Sequence, residues 1–231
     1  MTDPLDDRGL LKLLTWLSPS FPVGAYAYSH GLEYAVETGS IATAQDLTDW
    51  VRTIISDGSG RIDSDLFCAA HQACLFGNDQ LLDEIHELAL ALRGTSEMAL
   101  ESSAQGKAFN TTRAQLAGDA PEKNDVPYAI AVAIAAAQEK LALRATLTAF
   151  LHAVVSNLVS AGVRLVPLGQ TDGQRCILGL EQVILEATDN ALKRQTENQD
   201  VDLIDYVGAA APMVDWASMK HETQYTRLFR S

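Results

Sequence analysis

Apolar residues recur at helical spacing along most of the chain, and glycine, proline and asparagine mark the breaks between periods. Leu10, Leu11, Leu14 and Leu17 make the first period; Tyr28, Leu32, Tyr34, Ala35 and Val36 make the next, ending at Thr38 and Gly39. The clearest helix spans 43–56, where Leu47, Trp50, Val51, Ile54 and Ile55 form one stripe behind Thr43 as N-cap and ahead of Gly58. Further helices are expected over 63–76, stopping at Gly77 and Asn78, and across Leu81, Leu82, Ile85, Leu88, Ala89 and Leu92, stopping at Gly94. The period continues over 95–117, where Ser102, Ser103 and Gly106 would let another helix approach closely. Residues 118–127 are charged and rich in breakers, yet shorter than a flexible interdomain linker. Pro127 then suits the opening of an alanine-rich helix over 128–138.

Between Arg144 and Arg164 lie nineteen residues without a formal charge, about the length that crosses a bilayer. Thr146, Thr148, His152, Ser156, Asn157 and Ser160 interrupt them, and polar groups at membrane depth are costly unless partnered. The stretch therefore reads as the central helix of a helical protein and not as a membrane span. After a loop at 167–174, Asp172 can cap a helix running to about Leu192. Residues 196–205 are acidic and polar, a short apolar run reaches Pro212, and no sustained period follows Trp216. No strand alternation bounded by hairpin turns occurs, so the expected fold is all-α: a single-domain bundle over 1–231 of roughly eight to ten helices, with a partly mobile C-terminal tail at 216–231.

Composition supports this and narrows the partners. Aromatic residues make up only 6% of the chain while alanine and leucine abound, a bias toward helix. Thirty acidic against seventeen basic residues give a net charge of −13, a field that repels nucleic acid and anionic membrane surfaces. Three cysteines without framework spacing suit reduced thiols, and the N-terminus puts acid rather than base ahead of its leucines, unlike a secretory signal; a cytoplasmic location is expected.

The stretch from 14 to 33 holds two prolines, two glycines and four aromatics between helical patterns, and reads as a structured elbow. Ser29 and His30 are adjacent there, so on a helix they would point about 100° apart, with no acid or oxyanion element beside them. Cys68, His71 and Cys74 lie three apart on a predicted helix and carry ligand types that suit nickel or zinc, but the two cysteines diverge by about 120° around the axis. The Gly106-Lys107 pair lacks the remaining positions of a phosphate-binding loop, since Glu101 and Ala108 stand where glycine and serine or threonine are needed. Arg164 is placed to be an arginine finger or, as we read it, to compensate the carbonyls at a helix end. No cofactor is indicated.

Three strings carry a resemblance. Trp16-Leu17-Ser18-Pro19-Ser20-Phe21-Pro22-Val23-Gly24, followed by Tyr28-Ser29-His30-Gly31-Leu32-Glu33, closely resembles the N-terminal signature of the UreF family of urease accessory proteins. Val163-Arg164-Leu165-Val166-Pro167-Leu168-Gly169-Gln170-Thr171-Asp172-Gly173-Gln174 is similar to that family's central loop, and the last thirteen residues, 219–231, to its C-terminal tail. The resemblance implies a non-enzymatic, chaperone-like homodimer that assembles with UreD (also called UreH), the GTPase UreG and apo-urease to promote nickel insertion. It also implies partner contacts through Ser18, Pro19, Phe21, Pro22, Gly24, His30 and Glu33, through Arg164, Pro167, Gly169, Gln170 and Gln174, and through His221, Glu222, Tyr225, Arg227, Leu228 and Phe229. The alternative kept open is a stand-alone metal-binding chaperone or hydrolase using Cys68, His71 and Cys74. In the tail Lys220, Arg227 and Arg230 outnumber Glu222, with Tyr225, Leu228 and Phe229 interleaved. A terminal segment without a cap or period is expected to be mobile alone and to order against UreD, the rival being a tail docked on the chain's own acidic surface.

Overall fold

The computed structural model describes residues 6–120 and 126–230. The first five residues of the acidic N-terminus, the centre of the expected break (121–125) and Ser231 of the expected tail lie outside the described residues. The described chain is helical throughout, with no strand: α1 (Asp7–Trp16), α2 (Leu32–Glu37), α3 (Ala44–Ser56), α4 (Ser59–Phe76), α5 (Asp79–Ala91), α6 (Ser96–Ala117), α7 (Tyr128–Gln138), α8 (Leu143–Leu165), α9 (Gln170–Gly179), α10 (Glu181–Glu197), α11 (Leu203–Tyr206) and α12 (Pro212–His221). Ten of these have ten or more residues; α2 and α11 are shorter.

The helices begin where local chemistry supplies a cap. Thr43 and Asp46 form a capping box at α3, the Asn78 side chain accepts from Leu81 N at α5, and that of Thr95 accepts from Met98 N at α6. Each satisfies a backbone donor that a helix start leaves open. At the other end Gly77 and Gly118 close α4 and α6 in left-handed conformation, where a side chain would be strained.

Helix α4 packs against α3, α5, α7, α8 and α10, and α8 against α3, α7, α9 and α10. Large side chains such as Leu66, Phe67, Leu147 and Leu151 have no more than 1% exposure, and each contributes on the order of 1.5–3 kcal/mol by leaving water. A run of ring contacts ties this interior to the elbow. Trp16 and Phe21 both touch Phe109, which touches Tyr128, then Phe150, then Phe67, with centroids 5.4 to 5.9 Å apart. Helix α8 is the one described helix long and apolar enough to cross a membrane, with a mean hydropathy of 1.5 over its window; half of that window is buried inside the protein.

Four boundaries differ from expectation. Helix α4 starts at Ser59, because the bare Gly60 lets the chain reverse within 2.8 Å, Cβ position to Cα, of Ile55. The single helix expected from Asp172 is two, since the chain turns at Gly179 and the fully buried Leu180. Gly169, not Asp172, holds the N-cap of α9; Asp172 sits in the first turn and accepts from Arg175 at 2.8 Å. The expected loop therefore ends at Gly169, with Gln170 and Gln174 already helical. Lastly, α12 runs through the start of the supposed tail, opened by Pro212.

Gly106 tests the packing of α6 on α7. A Cβ there would stand 1.8 Å from the Val126 carbonyl oxygen, whereas helix propensity alone favours alanine by about 1 kcal/mol. Gly106→Ala is expected to destabilise by about 1–3 kcal/mol in urea unfolding; a gain in stability would refute the close approach.

Candidate functional site

The elbow reverses direction through residues that tolerate positive φ. Gly24 (φ 77°) leads a 3-10 turn at Ala25–Ala27, and His30 (φ 51°) and Gly31 (φ 75°) lead into α2. Gly31 is needed for a second reason: a Cβ would lie 2.8 Å from Ser218 N and 3.1 Å from Ala217 Cβ, so α12 can approach only over a glycine. Its contact with α2 is reinforced by Tyr34 and Trp216, packed edge to face with centroids 5.3 Å apart.

That approach brings the C-terminal segment onto Glu33, in the first turn of α2 and buried. Leu228 N and Phe229 N donate to its carboxylate at 2.6 and 2.9 Å, and His221 Nε2 stands 3.1 Å from it. The fully buried His221 turns Nδ1 to Glu97 at 2.7 Å. The ring thus bridges two carboxylates, one at each nitrogen. Glu97 also accepts from Arg227 at 2.6 Å. Beside it, the Glu222 carboxylate accepts from the Ser96 hydroxyl at 2.6 Å and from Ser96 N and Glu97 N at 2.9 and 3.4 Å, adding to the capping of α6. Those bonds, the Ser96 hydroxyl foremost, hold Glu222 below the usual carboxylate pKa.

Arg164 joins the same face from the last turn of α8. Its Nε donates to Ser160 O at 3.2 Å, the helix-end role read from the sequence, and its Nη2 donates to Tyr26 O at 2.8 Å. The guanidinium carbon lies 4.5 Å from the centre of the buried Phe229 ring, and Arg230 N donates to Ala27 O at 2.7 Å. Elbow, α8 end and tail, far apart in sequence, thus meet around Glu33 and Arg164. The tail divides: Phe229 is buried, while Tyr225 and Leu228 point into solvent.

The remaining candidates lie around this face. Pro19, Arg164, Gln170 and Gln174 line one surface groove of about 550 Å³, and Ser18 borders a more apolar groove of about 910 Å³ between α1, α8 and α10. Pro22, Pro167 and Gly169 are exposed, and Phe21 is buried on Phe109. His30 stands apart, with Nε2 3.0 Å from Glu101 in the interior; burial opposes its charge, but the Glu101 carboxylate prevails and raises its pKa.

Comparison with known proteins decides the family. The family model described as UreF matches residues 41–181, more than half of the chain. A protein of Rhodopseudomonas palustris (strain HaA2), named urease accessory protein UreF, is 45% identical over 229 residues, covering 96% of this chain and 93% of that protein. Another so named, from Granulibacter bethesdensis, is 44% identical over 237 residues, covering 100% and 97%. The chain belongs to the UreF family. The matched region of this UreF chain includes the α8 end, while elbow and tail lie within the alignment to the Granulibacter protein, which covers the whole chain.

Metal chemistry at Cys68, His71 and Cys74 has no support in the geometry of this UreF chain. Burial pushes the Cys68 thiol up to about 12 and lowers the pKa of His71, whose Nε2 is occupied by Leu141 O at 3.0 Å. Among the described residues no group of three or more His, Cys, Asp and Glu side chains is disposed to hold a metal ion. Sequence reasoning missed Glu97 and the Tyr26 carbonyl. Glu97 sits in the first turn of a capped helix, where an acidic residue is expected for the helix dipole, so nothing marked it as a partner of His221.

Glu33→Ala removes the acceptor of two backbone donors and of His221. It is expected to destabilise the protein by about 3–5 kcal/mol and to abolish hydrogen-exchange protection of Leu228 and Phe229. Unchanged protection would show that Glu33 does not hold the tail.

Proposed function

We propose that this chain, as one domain across its length, is a non-enzymatic assembly subunit of urease maturation. In this reading it works in the cytoplasm as a homodimer, binding UreD (UreH) and UreG on apo-urease so that nickel, the cargo, reaches the urease active site. The observation that carries the reading is the meeting of elbow, α8 end and tail on one face, where the ionisable groups are engaged by one another or by backbone and Ser96 while Tyr225 and Leu228 remain exposed. Groups engaged in this way build a surface rather than a reaction centre, and aromatic and arginine side chains are favoured interface anchors.

Within this reading UreD takes the elbow and the docked tail, with the exposed Tyr225 and Leu228 becoming buried. The segment from Arg164 to Gln174 serves UreG or self-association. The exposed Leu10 and Leu14 in the α1 groove are in keeping with a second copy covering them.

Co-purification of UreD, UreG and apo-urease with and without this chain tests the proposal. The complete set is expected to form a complex and yield nickel-loaded, active urease, and omission of this chain should abolish both. Equal nickel loading without it would overturn the reading.

Two variants locate the contacts. Tyr225→Ala with Leu228→Ala, both exposed side chains, should leave the melting temperature nearly unchanged and strongly weaken UreD pull-down. Gln170→Ala should leave the melting temperature nearly unchanged and weaken assembly with UreG or self-association. Wild-type binding by both would remove these sites from the proposal.

A further inference from the structure

A separate open cleft of about 970 Å³ lies between the C-terminal part of α4, α5 and the chain from the end of α10 through α11, sharing no lining residue with the elbow, the tail or the α1 groove. Among its lining residues Phe76, the last residue of α4, is 83% exposed, and Ile204, on α11, is 64% exposed. Large apolar side chains held in water beside one concavity mark an interaction surface rather than unused core. Glu84, Asp200 and Asp202 also line the cleft, and no basic residue does. Its wall includes Gln195, only 9% exposed, whose carboxamide oxygen has no hydrogen-bond partner. That acceptor has no donor within the chain and is open to one that enters the cleft.

We infer that this cleft receives an extended segment of another protein, in which a bulky apolar side chain seats between Phe76 and Ile204 and a neighbouring lysine or arginine faces Asp200 and Asp202. A polar hydrogen of that segment supplies Gln195. The acidic lining rejects nucleic acid, and a purely apolar occupant would bury carboxylates without a counter-charge. A second copy is disfavoured on the same ground, since the chain carries a net charge of −13 and its own basic, apolar tail is engaged by Glu33, Glu97 and Arg164.

Fluorescence anisotropy on the full chain can test this with a labelled peptide in which leucine and phenylalanine alternate with lysine, beside a twin carrying glutamate in place of lysine. The lysine peptide should bind and the glutamate twin should not. Phe76→Ser, and separately Asp200→Lys with Asp202→Lys, should each weaken binding by about tenfold. The exposed pair Glu181→Lys with Glu186→Lys should weaken it much less. Phe76 is exposed enough for its replacement to leave the fold intact, which an unchanged melting curve would verify. No binding of the lysine peptide, or equal weakening by the Glu181 and Glu186 pair, would overturn the assignment. Concentration-dependent self-association that disappears in Phe76→Ser would also overturn it, by making a second copy the occupant.

Discussion

A buried carboxylate stabilises a fold only if its lone pairs are met by donors, and at Glu33 groups from the C-terminal segment meet both oxygens. Much else at this end of the molecule follows. Helix α12 must lie close enough to bring His221 over α2, which requires the bare backbone of Gly31. The other ring nitrogen of His221 then meets Glu97, and Glu97 in turn accepts from Arg227. Exposed ion pairs on an acidic protein contribute only about 0–1 kcal/mol each. The tail is therefore held less by attraction of its basic residues to the surface than by backbone donors on a buried carboxylate and by the burial of Phe229.

How much of this was legible in the sequence depended on whether burial and periodicity coincided. Helices α3, α7 and α8 were readable because each combines an apolar pattern with a recognisable start or a bracketing charge. Helix α12 does have helical spacing at its buried positions, Val214, Ala217, Ser218 and His221, but two of those four are polar, so hydropathy gave no stripe. The turn between α9 and α10 was hidden for the opposite reason: apolar residues continue through it, and a glycine such as Gly179 is tolerated within helices. Arg164 could be read as a helix-end group from its position alone. Its reach to the Tyr26 carbonyl and the Phe229 ring could not, because those contacts depend on where distant segments fold.

The aromatic contacts from Trp16 and Phe21 through Phe109 to Phe67 set the other boundary on the elbow. Its inner side is fixed to the central helices by rings in contact, while on its other side the Tyr26 and Ala27 carbonyls accept from Arg164 and Arg230. The elbow is thus held from two directions, by the core and by the C-terminal half of the chain.

Glu33 and its three donors are separated by 188, 195 and 196 positions along the chain. A clasp of such sequence separation closes a very long loop, and the entropy of loop closure grows only as the logarithm of length. Surface insertions between the central helices would therefore barely loosen it, whereas a substitution at Glu33 acts on all three contacts at once.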